Sequence, residues 1–120
     1  MSEWQVSFLA ACVDLGGALL GEGAFAPGPA LWVGKREVAH FDAERALDVR
    51  LTRSEIRTRR GDHRGDERVS LRSGSSEWLA LHIGDDADAK WARDLVRVAI
   101  AANVSSAPRG LPPTGREFDR

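Results

Sequence analysis

Between Ala30 and Thr52 the chain alternates apolar and polar residues, broken only by short connections, and this limits what it can fold into. Ala30 to Val33 reads as a strand. Lys35 to Phe41 reads as its hairpin partner, or as a continuation across a bend at Gly34. Leu47, Val49 and Leu51 then alternate with Asp48, Arg50 and Thr52, the signature of a half-buried strand with an inside and an outside. Parallel pairing needs a crossover of a dozen residues or more, and these connections are too short for one. The sheet is therefore expected to be antiparallel.

The flanking segments supply helices. Ser2 and Gln5 form a capping-box pair before Trp4, Phe8, Cys12 and Leu15, which recur at helical spacing until Gly16 and Gly17. Leu19 to Pro29, rich in Gly and Pro, reads as a loop. Its Gly21-Glu22-Gly23 lacks the Lys-Ser/Thr ending of a phosphate loop. Thr52 and Glu55 cap a second helix running to about Arg60, anchored by Ile56 and followed by a polar turn from Gly61 to Asp66. Arg68 to Arg72 and Trp78 to Ile83 are strands joined by a hairpin loop at Ser73 to Ser76. A final helix spans about Asp86 to Ala102, with Ala87, Trp91, Leu95, Val98 and Ala102 as its apolar stripe and Asn103 as its stop. The order α-β-β-α-β-β-α implies one α+β domain over residues 1–104, an antiparallel sheet with helices mainly on one face. Residues 105–120, carrying Pro108, Pro112 and Pro113, read as a flexible tail.

Charge and cysteine content narrow the function. A formal net charge of −1 gives no global attraction to nucleic acid or acidic lipid, so an electrostatic partner would need a local patch. Cys12 is the only cysteine, which rules out an intramolecular disulfide and suits a reducing compartment. No apolar run reaches membrane-spanning length, and the N-terminus lacks a basic leader, so a cytoplasmic protein without membrane association is expected.

The densest group of potentially chemical side chains lies in Trp32 to Asp42: Trp32, Arg36, Glu37, His40 and Asp42 are the candidate ligand-binding residues. Strict alternation puts Arg36, Val38, His40 and Asp42 on one face and Glu37, Ala39 and Phe41 on the other, unless the strand is bulged. His40 and Asp42, about 7 Å apart on one face, could reach a common ion or substrate. A metal site needs three or four ligands, and nothing in the sequence brings His63 or His82 to them, so no metal is expected. Glu37 and His40 could in principle act as general base and acid, yet no nucleophile elbow, zinc-binding helix or cofactor fingerprint accompanies them. The reading that follows is a small domain without cofactor or catalytic residues that binds a protein or a small molecule. A second reading is nucleic-acid binding through Arg53, Arg57 and Arg60 on one helical face. Against it, acids interrupt the basic run and no aromatic residues interleave for stacking. Trp4, Trp32, Trp78 and Trp91 are expected mainly in the core, with Trp32 the one placed for ligand contact.

Taken in order, GKREVAHFD, ALDVRLTRSEIR, RVSLRSGSSEWLAL and the Ala-rich final helix resemble the short actinobacterial proteins called luciferase-domain proteins, over about residues 29–103. The element order is also similar, more distantly, to the YjbR-type fold. The resemblance carries no particular reaction with it. A flavin-dependent luciferase is a barrel of about 250 residues, and this chain has 120. Members of the resembled family often have two histidines spaced by one residue here. This chain has His40 and, at the second place, Asp42.

Overall fold

Among the described residues three helices and six strands follow one another: α1 Glu3–Val13, β1 Leu19–Glu22, β2 Pro29–Val33, β3 Arg36–Ala43, β4 Ala46–Arg50, α2 Arg53–His63, β5 Val69–Leu71, β6 Trp78–His82 and α3 Asp86–Val104. The computed structural model describes residues 2–72 and 76–104. The expected 73–76 hairpin loop and the 105–120 tail thus fall mostly or wholly outside the described residues. The strands form one sheet in the order β1-β2-β3-β4-β6-β5, every neighbouring pair antiparallel. The α+β class and the antiparallel sheet are as the alternation implied.

Residues paired across an antiparallel ladder share a face. Leu31, Ala39, Val49 and Leu79 form one such row, and Phe41, Leu47 and Leu81 another. Phe8, Leu9 and Cys12 of α1 and Leu95, Val96, Ala99 and Ile100 of α3 pack on these rows, and α2 adds Ile56. The opposite face carries Trp32 with Glu37, His40 with Asp48 and Ala80, and Arg50 with Trp78.

Several details differ from the sequence reading. Leu19–Glu22, inside the expected loop, is an edge strand against Pro29–Val33. Pro29 can begin β2 because a first position tolerates a missing N–H. Gly34, at φ 57°, makes the bend a hairpin turn between β2 and β3. α2 runs on to His63 rather than stopping near Arg60, which buries His63. α3 buries Ala92, Leu95, Val96, Ala99, Ile100 and Asn103, a stripe rotated from the expected one so that Ala87 is exposed. Asn103 is part of this helix. Its amide donates to the Arg50 and Ala99 carbonyls at 2.9 and 2.7 Å, tying the helix end to β4.

One irregularity shapes the site. Leu31 pairs with Ala39 but Trp32 pairs with Glu37, so one step along β2 is matched by two along β3. This bulge makes Val38 the extra residue, and Val38 packs in the core. Glu37 thereby joins Trp32 and His40 on the face away from α1 and α3. Strict alternation had exchanged Glu37 and Val38.

Candidate functional site

Four charged side chains form a chain of hydrogen bonds on this second face. Glu37, 1% exposed, accepts the Ala24 N–H on Oε1 at 2.7 Å and faces His40 Nδ1 with Oε2 at 3.0 Å. His40 Nε2 lies 3.1 Å from Asp48 Oδ2, and Arg72 donates to Asp48 Oδ1 at 3.0 Å. Burying isolated charges is costly, but alternating signs with each oxygen hydrogen-bonded offset much of that cost.

The protonation of His40 follows from this geometry. Each ring nitrogen faces a carboxyl oxygen, and ionised carboxylates only accept, so this geometry favours an imidazolium with a proton on both nitrogens. Burial works against the imidazolium, but the hydrogen bonds from Asp48 and Glu37, together with their charges, outweigh it and raise the pKa to about 9. For Asp48, burial works towards the neutral acid. The His40 hydrogen bond and the Arg72 charge prevail and hold the carboxyl below its ordinary value. The result is an imidazolium clamped between two carboxylates, with no lone pair left to take a proton or bind a metal.

Residues 23–28 fold over this cluster. The turn closes with a Gly23 N–H to Gly28 carbonyl bond of 2.8 Å. Gly23 is required there, because a Cβ would collide with the Ala26 carbonyl oxygen and crowd Glu37 Oε1. The turn places Phe25 over the imidazole, nearly parallel at 6.2 Å between ring centres, and Trp78 lies 5.2 Å from the same ring. The Arg50 guanidinium sits 5.7 Å from the Phe25 ring centre and 4.9 Å from that of Trp78.

Of the five candidate ligand residues, the structure brings Glu37 and His40 into direct contact and places Trp32 on the same face. Trp32 is 3% exposed, packed with Ala24 and Ala30. It is the most buried of the four tryptophans. Trp4, Trp78 and Trp91 are half-buried, each with an arginine over its ring. Arg36 is half-buried at the start of β3. Asp42 is exposed at the far end of β3, where the ladder to β4 is irregular, and the second carboxylate on His40 is Asp48 instead. Arg53, Arg57 and Arg60 are all exposed on α2, where Arg59 pairs with Glu55 at 3.2 Å. His82 contacts the Ser70 hydroxyl at 2.8 Å, on the second face but outside the cluster. Among the described residues no group of three His, Cys, Asp or Glu side chains is arranged to hold a metal ion. No helix among them is long and apolar enough to cross a membrane.

Asp48, Arg72, Phe25, Arg50 and Trp78 were not singled out as site residues from sequence. Asp48 had a usable signal, since it lies on the polar face of β4. A short hairpin that pairs Phe41 with Leu47 necessarily sets His40 opposite Asp48.

The family model for the Luciferase domain matches residues 35–99, more than half of the chain. The chain belongs to this family. No curated protein and no solved structure gave a match. The matched segment of this luciferase domain contains Glu37, His40, Asp48, Arg50, Arg72 and Trp78, whereas Ala24 and Phe25 of the covering turn precede it. The charged chain thus lies in the family's segment, and its roof is contributed by the residues before it.

Proposed function

We propose that this luciferase domain is a non-enzymatic binding module and that the sheet face around His40 is its working surface. The observation that carries the proposal is the engagement of both imidazole nitrogens by carboxylates. A general base or metal ligand needs an available lone pair near neutral pH, and His40 holds its second proton up to about pH 9. The cluster acts as a fixed, preorganised floor. Phe25, Trp78 and Arg50 provide the contact groups above it, and aromatic and arginine side chains dominate binding hot spots.

Amide chemical-shift mapping of the labelled domain against small molecules, nucleotides and short DNA and RNA tests this reading. Ligand-dependent shifts should cluster at Phe25, His40, Asp48, Arg50 and Trp78. Shifts confined to Arg53, Arg57 and Arg60, with affinity falling steeply as salt rises, would instead establish nucleic-acid binding through α2. Turnover of any substrate that is abolished by His40→Ala or Glu37→Ala would overturn the non-enzymatic reading.

A further inference from the structure

Arg50 stands out among the arginines of the sheet face. It lies on β4 two residues beyond Asp48, on the same face, and pairs in register with Trp78. Its Nε is buried and has no hydrogen-bond partner among the described residues. Its guanidinium packs against Phe25 and Trp78. The carboxylates of Glu77 and Glu37 act on it through space, opposed by the Arg36 charge, yet neither carboxylate pairs with it. Arg72 is different, because its guanidinium is already bonded to Asp48.

A guanidinium has five N–H donors in a planar fork that matches the oxygens of a carboxylate or phosphate, and a buried donor without an acceptor is costly. The surroundings specify the rest of the ligand. Phe25 is 45% exposed, and its ring together with half-buried Trp78 offers flat apolar surface beside the fork. The two carboxylates nearest the imidazole are already bonded to His40 and Arg72, and Glu77 acts on Arg50 only through space, so the Arg50 fork has no bonded carboxylate among the described residues.

We propose that Arg50, with Phe25 and Trp78, forms a binding site for a planar aromatic anion, its carboxylate or phosphate oxygens on the guanidinium and its ring against the aromatic pair. The assignment rests on the binding-module reading above and gives that surface its ligand chemistry. It requires the anionic group and the ring on one molecule.

The test uses the intact chain, labelled with ¹⁵N, and follows the Arg50 Nε–H and Trp78 indole N–H resonances. Benzoate and adenosine monophosphate separate a carboxylate from a phosphate source. Benzamide and adenosine are their uncharged counterparts, and acetate and inorganic phosphate are the anions without a ring. The aromatic anions should shift both resonances, at least tenfold more tightly than either the neutral or the ringless probes. Arg50→Gln should weaken that binding at least tenfold. Arg50→Lys, which keeps the charge without the fork, should also weaken it. The wild-type comparison of charged with neutral probes needs no variant, so a failure of Arg50→Gln to fold leaves the test intact. Equal binding of benzamide and benzoate, or shifts on this face that leave Arg50 unmoved, would overturn the anion assignment and keep the binding surface. Silence of the whole face toward every probe would count against both.

Discussion

The imidazolium between Glu37 and Asp48 makes the stability of the domain depend on pH in a defined window. His40 binds its proton more tightly in the folded state, with its pKa raised to about 9 from the ordinary histidine value of 6.5. A raised pKa stabilises the fold fully below the unfolded value, and that contribution is lost as pH rises through the folded one. Each tenfold gain in proton affinity corresponds to about 1.4 kcal/mol, so the contribution is about 3 kcal/mol, most of it gone by pH 9. Urea unfolding at pH 6 and pH 9 measures it directly. The midpoint of thermal unfolding should fall by roughly 10–15 °C over the same interval. The interval should end by pH 9, because Cys12 ionises around that pH in the unfolded chain while burial holds its folded pKa at about 12. His63 acts on the other side: burial, aided by Arg59, lowers its pKa, so its effect is a loss of stability as pH falls below the ordinary histidine value. His40→Gln should remove the alkaline slope and, by leaving buried carboxylates without their cation, cost about 3 kcal/mol at pH 6. Equal stability at pH 6 and pH 9 in the wild type would refute the reasoning, as would an unchanged slope in His40→Gln.

Three further substitutions and reactions probe the elements that hold the site. Gly23→Ala drives a methyl group into the Ala26 carbonyl. It should cost about 1–3 kcal/mol and displace Phe25 from His40, visible as loss of the ring-current shift on the imidazole protons. Thr52 caps α2 by accepting the Glu55 N–H at 3.3 Å, but does so at φ 80° and ψ 152°, a region suited to glycine. Thr52→Gly should therefore raise stability by about 0.5–1 kcal/mol in urea melts despite the lost cap, because the strain relieved exceeds the added chain entropy. Cys12 is fully buried and its thiol is pushed up to about 12. A thiol-specific reagent at neutral pH should label it only at the rate of global unfolding, which a denaturant series would show.

The sheet was legible because its period-two pattern is strong where one face is buried. Leu47, Val49 and Leu51 occupy the core as the alternation implied. Alternation misplaced Glu37 because a bulge adds a residue without altering composition, and no single residue near Val38 announces one. His40 was visible as a polar residue in a strand. Its partner Asp48 lies eight residues away and becomes adjacent only through the β3–β4 register, whereas the sequence places Asp42 nearer. Phe25 looked like part of an unstructured Gly/Pro stretch, and its place over His40 comes from the Glu37 bond to the Ala24 amide. Trp32 was expected at the surface of the site because it adjoins the charged residues in sequence. The turn at residues 23–28 buries it and leaves Trp78 and Phe25 to form the accessible aromatic surface.

The central claim is that His40 has no free lone pair at neutral pH. Imidazole ¹⁵N–¹H correlation of the labelled domain at pH 7.5 tests it most directly. The structure predicts protons on both Nδ1 and Nε2, with imidazolium nitrogen shifts that persist until about pH 9. A nitrogen lacking its proton at pH 7.5, with the ring titrating near the ordinary histidine value, would contradict the account and make His40 a base or metal ligand again.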